Sequence, residues 1–474
     1  MSLPLAFNHE RHLVAEEVMA LRGLEPSGAR MPLLFSVSAS VDPQRIESAL
    51  NVIVQRHTAL RSAFGPNQNY PHDIRRRQLR LFERSGVFVP GLYVQRVLAN
   101  VDLRVNQETV ASQAELADFV RRELATPLDT ATGPPIRATL VSAGPAGVWL
   151  LIVFTHQTMD GWSMGVFARE FISVVGNGTG VPAQLPAVPI QYHDFAAWQL
   201  QQFRDGCFAE DERYWLAQWS QLGDARIDVT ELPFRKSLSR APLAFSSYQR
   251  LPLTPHDSER IAALITNAKL TPYALFRTAM VIALHHYTGK RRLAMWGNFT
   301  NRGYPEFVPA LGWYANTHIV CVELDRTMTC GAVCHRVSTS VAEAQAHEAL
   351  PLAALWQRIG RSLDTHNTRV NFDILPARPR SAQPDAIDVA VSPVGPRNID
   401  LDVRLRDDGG TFGLVAIFNA ERYATAGVQG LLGSIRRIVT AMAETPELRV
   451  SECERFVAAQ QRAVPRDGEA GADE

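Results

Sequence analysis

His156 and Asp160 lie four residues apart in the run Thr155-His156-Gln157-Thr158-Met159-Asp160-Gly161-Trp162-Ser163-Met164, and they are the chain's first candidates for chemistry. An imidazole titrates near neutrality, so one ring nitrogen of His156 can position, or take a proton from, an attacking amine or hydroxyl. Asp160 then reads as structural, a carboxylate at a helix start that also holds the loop through an arginine elsewhere. A second chemistry competes for the same stretch. Gly161-Trp162-Ser163-Met164-Gly165 has the form of a G-x-S-x-G nucleophile elbow with Ser163 as nucleophile, which requires a strand to end directly at the serine. In a third reading His156 is a buried histidine bonded to backbone.

The elements that must position these residues are legible around them. Val148 to Phe154 are seven bulky apolar residues after a glycine, the length and composition of a buried strand, so His156 sits at a strand's exit. Phe167, Phe171 and Val174 recur at helical spacing after Trp162 and place a helix start between Asp160 and Ser163. Residues 136–141 and 148–154, joined through Ser142-Ala143-Gly144-Pro145-Ala146-Gly147, read as a hairpin whose second strand is central. Upstream, Asp42-Pro43 caps a helix with Ile46, Leu50, Ile53 and Val54 as its buried stripe. The chain's only His-His pair, His285-His286, ends a long apolar helix before Gly289 and suits a structural cap. His193 lies near an acid but within a packing pattern of aromatics.

At 474 residues the chain suits two lobes, and a stretch rich in glycine and proline between residues 176 and 189 marks their boundary: residues 1–180, residues 181–462, and a disordered polar tail over 463–474. Basic and acidic residues balance, 48 against 48, which argues against nucleic acid or a membrane surface as partner. Lysine occurs only at 236, 269 and 290, leaving few candidates for a lysine nucleophile. Five scattered cysteines make no disulfide framework, and Cys330-x3-Cys334-His335 lacks a second ligand pair for zinc. With no basic leader and no run of 18 apolar residues, the expectation is a cytoplasmic, soluble, monomeric protein without a metal. Residues 73–84 carry five arginines, read either as a solvated helix face or as a docking patch for an acidic partner.

The run from Thr155 resembles the H-H-x-x-x-D-G motif of condensation domains of non-ribosomal peptide synthetases, members of the chloramphenicol-acetyltransferase-like superfamily. His156 falls on the family's second, catalytic histidine, Asp160 and Gly161 on its aspartate and glycine, while Thr155 stands where the first histidine would be. Residues 3–11, 56–64, 127–137, 191–198, 298–303, 311–317, 370–375 and 451–456 resemble further family segments in the same order, so the resemblance covers nearly the whole chain. It implies an α/β fold of two acyltransferase-like lobes in a V-shaped pseudo-dimer, each a mixed sheet flanked by helices, with residues 376–396 as a latch crossing from the second lobe to the first.

The resemblance also implies a function: a stand-alone condensation enzyme of natural-product biosynthesis, joining an acyl or peptidyl thioester on a carrier protein's phosphopantetheine arm to an amine or alcohol that is free or carrier-bound. His156, Asp160 and Gly161 would be the catalytic set, with Arg61, and after it Arg56, as partner of Asp160. Trp162, Ser163, Trp313, Tyr314 and Asn316 would line the substrate tunnel. No tightly bound cofactor is implied. Two alternatives stay open, an acyl-coenzyme A-dependent acyltransferase of the same superfamily and a non-catalytic scaffold that binds carrier proteins.

Overall fold

Apolar runs and alternating segments of the chain become two mixed sheets, each covered by helices. A computed structural model describes residues 2–23, 30–176, 185–222, 232–236, 247–360, 370–375, 387–389 and 401–457. Helix α1 (Phe7–Leu21) leads to strand β1 (Arg30–Val37) and helix α2 (Pro43–Arg56), which Asp42 caps by accepting the Gln44 amide at 3.0 Å. Strands β2 (Ser62–Pro66) and β3 (Tyr93–Val97) pair with each other on either side of helix α3 (His72–Ser85). Then follow β4 (Val105–Thr109), α4 (Gln113–Ala125), β5 (Ile136–Ser142), β6 (Val148–Thr155) and α5 (Gly161–Gly176). The expected hairpin is present: β5 and β6 pair antiparallel from Ile136↔Phe154 to Ser142↔Val148.

Strand β6 is the third of five in the first sheet, between β1 and β5. Its alternate residues serve two cores. Leu150, Ile152 and Phe154 pack with the stripes of α2 and α5, whereas Leu151 and Val153 pack with Leu116, Phe119 and Val120 of α4. Burial on both faces explains the unbroken apolar run, since neither side of the strand meets water.

Helices α6 (Tyr192–Arg204) and α7 (Ala209–Ser220) follow, and the second lobe runs through β7 (Ser247–Pro252), α8 (Pro255–Asn267), α9 (Pro272–Thr288), β8 (Arg292–Phe299), β9 (Asn316–Glu323), α10 (Cys330–Ala346) and α11 (Leu352–Ile359). It closes with β10 (Val370–Leu375), β12 (Leu401–Asp407), β13 (Phe412–Phe418) and α12 (Thr425–Glu444), giving the sheet order β7-β13-β12-β10-β8-β9. Its core lies on one face of that sheet, under α9, α10 and α12. Gly289 caps α9 at φ +72°, its amide donating to the His285 carbonyl, so the His-His pair is a helix end as its spacing implies. Of the expected crossing over residues 376–396, the described part is β11 (Ile387–Val389), which pairs antiparallel with β1 at the edge of the first sheet. The boundary at residue 180 and the tail from 463 lie outside the described residues. No described helix is long and apolar enough to cross a membrane.

The arginine-rich segment is α3, and its arginines divide. Arg76, Arg77, Arg80 and Arg84 are exposed. Arg75 turns inward, ion-paired with Glu17, donating to the Leu92 carbonyl at 2.6 Å and lying over the Tyr93 ring. Leu79 and Phe82 enter a core shared by both lobes with Phe7, Phe88, Leu355 and Trp356. There Arg11 of α1 lies 4.3 Å from the Trp356 ring centroid on α11 and 5.7 Å from that of Phe82 on α3.

Glu10, on the same helix, accepts the Gly91 and Tyr93 amides and holds the return from α3 to β3. Burial raises its pKa to about 7, against the amide hydrogen bonds and Arg75, which lower it. A carboxyl raised in the folded state stabilises fully below its unfolded pKa and loses that contribution as pH climbs to the folded one. The protein should therefore lose on the order of 3 kcal/mol of stability between about pH 4.5 and 7 from this group. Glu10→Gln, which keeps an acceptor for both amides, should flatten that part of a plot of Tm against pH. An unchanged slope would assign the pH dependence elsewhere.

Candidate active site at the exit of strand β6

Thr155, the last residue of β6, closes the turn that presents His156. Its amide donates to the Pro135 carbonyl at 3.2 Å, its carbonyl accepts the Thr158 amide and hydroxyl, each at 3.1 Å, and its hydroxyl accepts the Gln157 amide at 3.4 Å. Thr155, Gln157 and Thr158 are buried, and His156 between them is only partly so. Its ring packs on the indole of Trp313, centroids 4.2 Å apart at 46°.

Asp160 is buried and starts α5. One carboxylate oxygen accepts the Ser163 amide at 2.7 Å, the N-terminal capping bond, and the other accepts the amides of Tyr314 and Ala315 at 3.0 Å. Its cation is Arg302, at 3.4 Å, from the segment after β8. This corrects the expectation of a partner from the α2 end. Arg61 donates to the Leu98 carbonyl at 2.7 Å, and Arg56 pairs with Glu170 on α5, whose carboxylate also meets His57 at 2.8 Å. The motif aspartate thus ties the first lobe's loop to a segment lent by the second.

Ser163 belongs to the same cluster. Fully buried, its hydroxyl donates to the Gly312 carbonyl at 2.8 Å and accepts the Gly312 amide at 3.1 Å and Arg302 Nη2 at 2.8 Å. No proton or lone pair is left for a substrate, and the strand ends eight residues before the serine, so the elbow's geometry is not met. Arg302 also donates to the Phe307 and Ala310 carbonyls and lies 4.0 Å from the Tyr314 ring centroid. The approach around Gly312 is close: a Cβ there would sit 2.3 Å from the Tyr192 ring.

The structure sorts the residues expected to line a tunnel. Trp313 borders His156, and Trp162 is 40% exposed while its indole nitrogen donates to the Val308 carbonyl. Tyr314 is instead a core residue between Tyr192, Phe195 and Phe307, and Asn316 is buried and bonded to the Glu348 and Leu350 carbonyls; with Ser163, these face protein rather than open space. Gly161 is exposed and a Cβ there would meet nothing within 4 Å. Because Asp160 takes the Ser163 amide, the Gly161 and Trp162 amides are the donors of the first helical turn without a partner among the described residues. His193 sits against Thr58 and Asp194, away from this group.

Three residues of α1 join the site without having been anticipated. His9 is fully buried, and burial first, then neighbouring His12 and His156, holds its pKa well below the usual range for histidine. His12 packs edge-on against Trp313 at 5.6 Å and lies 3.1 Å from Glu16, whose other oxygen accepts Gln157 Nε2 at 3.1 Å. Their signal was the 9, 12, 16 spacing of polar residues on one face of a helix that otherwise buries apolar ones. No described group of three or more histidines, cysteines or acids could hold a metal ion.

The profile described as "Condensation domain" matches residues 18–464. Among curated proteins, the phosphinothricin tripeptide synthetase PhsC of Streptomyces viridochromogenes is 27% identical over 374 residues, an alignment covering 77% of this chain and 32% of that protein. The chain spans about a third or less of the length of the curated relatives it matches. Among solved structures, the condensation domain of the monacolin K polyketide synthase MokA superposes with a TM-score of 0.75 at 17% identity, covering 95% of this chain and 99% of that one. The X-domain from teicoplanin biosynthesis gives 0.73 at 18% identity over 95% and 97%. At such identities the structural likeness speaks for the fold.

Proposed function

Because this chain belongs to the condensation-domain family, we propose that it is an acyltransferase joining a carrier-bound acyl or peptidyl thioester to an amine or alcohol, with release of the thiol. The observation that carries this reading is the contrast among His156, Asp160 and Ser163. Asp160 and Ser163 are buried and fully bonded, and His156 is the one held at an opening, against Trp313. An imidazole so placed orients the nucleophile and draws off its proton as it attacks the thioester carbonyl. The Gly161 and Trp162 amides at the start of α5 are the donors for the developing oxyanion, and the missing Cβ of Gly161 leaves room beside them. The donor arrives on a phosphopantetheine arm, and no resident cofactor takes part.

The carrier's docking surface in this proposal is the outer face of α3, where Arg76, Arg77, Arg80 and Arg84 stand exposed and would complement an acidic protein. The test is a transfer assay read by mass spectrometry, with acyl groups loaded on carrier protein or on coenzyme A and a panel of amines and alcohols. Product from carrier protein supports the reading, and charge reversal at Arg76 and Arg77 should then raise the KM for the carrier severalfold, less so as salt rises. Product from coenzyme A alone moves the protein to the acyl-coenzyme A branch. Carrier binding without product from either donor would point to a scaffold.

A further inference from the structure

The carboxylates of α1, the motif loop and α5 are committed with one exception. Asp160 is taken by Arg302 and three amides, Glu10 by the Gly91 and Tyr93 amides, Glu17 by Arg75 and Tyr93, and Glu170 by Arg56 and His57. Glu16 has no arginine or lysine within ion-pair distance among the described residues; its partners are His12 and Gln157. Its side chain is 18% exposed and that of His12 17%, so both open on solvent beside the motif loop. The Trp313 indole packs against both the His12 and the His156 ring. Behind them His9 is fully buried, and neither of its ring nitrogens has a hydrogen-bond partner among the described residues. Arg30, on β1, is in register with Thr155.

A carboxylate paired with no arginine or lysine, bonded to a histidine whose ring packs edge-on against an indole, brings together the groups that recognise an ammonium: a charge-assisted hydrogen bond and a cation–π contact. We propose that Glu16, His12 and Trp313 form the acceptor subsite, and that they select a primary amine, bound as its ammonium ion, over an alcohol. This deepens the condensation reading and rests on it. His12 Nε2 faces Glu16, which leaves Nδ1 to take one proton from the ammonium while the carboxylate balances the imidazolium charge. The freed lone pair then forms the C–N bond as the C–S bond breaks. A second nitrogen proton passes by way of His156 to the leaving sulfur, giving amide and thiol, and the proton on His12 returns to solvent.

The experiment uses the full chain and two probes that differ in one group, 2-phenylethylamine and 2-phenylethanol, titrated by NMR. The amine should bind at least tenfold more tightly than the alcohol. Glu16→Gln, which keeps the size and the Gln157 contact, should abolish the difference, and Glu16→Asp should restore part of it. His12→Gln, with the carboxylate intact, should keep the preference in binding but lower amide formation, and it serves if Glu16→Gln folds poorly. Equal affinities, no binding of the amine, or a preference that survives Glu16→Gln would overturn the subsite. Selective amine binding with no amide formed from a loaded carrier would sustain the subsite and count against the condensation reading. Amide formation with an amine KM unchanged in Glu16→Gln would do the reverse.

Discussion

His156→Ala is expected to lower turnover about a hundredfold or more while leaving thermal stability close to that of the parent protein, because the ring stands at an opening and general-base assistance is worth that much. Ser163→Ala should show the opposite profile. It removes a buried hydroxyl that bonds Gly312 twice and Arg302 once, so it should lower Tm and affect turnover mainly through loss of folded protein. Initial rates on folded protein, with differential scanning calorimetry on both variants, separate the two. Intact mass after incubation with acyl donor adds a direct check: an acyl increment on the parent protein that Ser163→Ala abolishes would falsify the role given to His156.

Arg302→Ala is expected to cost on the order of 3–5 kcal/mol, the range for removing one partner of a buried ion pair. The loss has several parts. Asp160 would lose its cation in a site closed to water, the Phe307 and Ala310 carbonyls their donor, and the Tyr314 ring the guanidinium over it. Arg302→Lys should recover little, since an ammonium cannot reproduce contacts made by two guanidinium nitrogens in fixed directions. Arg61→Ala, which gives up one bond to the Leu98 carbonyl, should cost far less. Urea unfolding of the three variants ranks them, and an Arg302→Ala protein within 1 kcal/mol of the parent would show that the cluster contributes little to stability.

Where the chain signals structure through neighbours in sequence, the sequence was enough. The β5–β6 hairpin, the Asp42-capped α2, the start of α5 and the glycine cap after His285-His286 all rest on periodicity or capping within a few residues. The partner of Asp160 depends on chain reversal instead. Arg302 is 142 residues away, and although Asn301-Arg302-Gly303 stood out as a segment, nothing local says which acid it meets. The resemblance pointed to Arg61 and Arg56, yet α2 packs against α5 farther along that helix, where Glu170, ten residues beyond Asp160, claims Arg56. The arginines of α3 mislead for a related reason. A run of like charges reads as one solvated face, but a helix turns each successive residue by about 100°, so Arg75 points inward while Arg76 and Arg77 do not. Ser163, Tyr314 and Asn316 fell to the same limit, since polarity or aromaticity alone does not distinguish a lining residue from one that satisfies its neighbours in a core.

The pairing of β11 with β1 sets an order of events during synthesis. Strand β1 ends at Val37, and the described residues that pair with its outer edge, at Phe35 to Val37, are Ile387, Asp388 and Val389, some 350 positions later. At ribosomal rates of about 5–20 residues per second, the nascent first lobe waits roughly 20–70 s with that edge open. An unpaired edge is a template for strands of other chains, and it stays open for good in any product that stops before residue 387. Severing the chain between the lobes would therefore yield a first half prone to associate with itself, which soluble co-production of the second half should rescue.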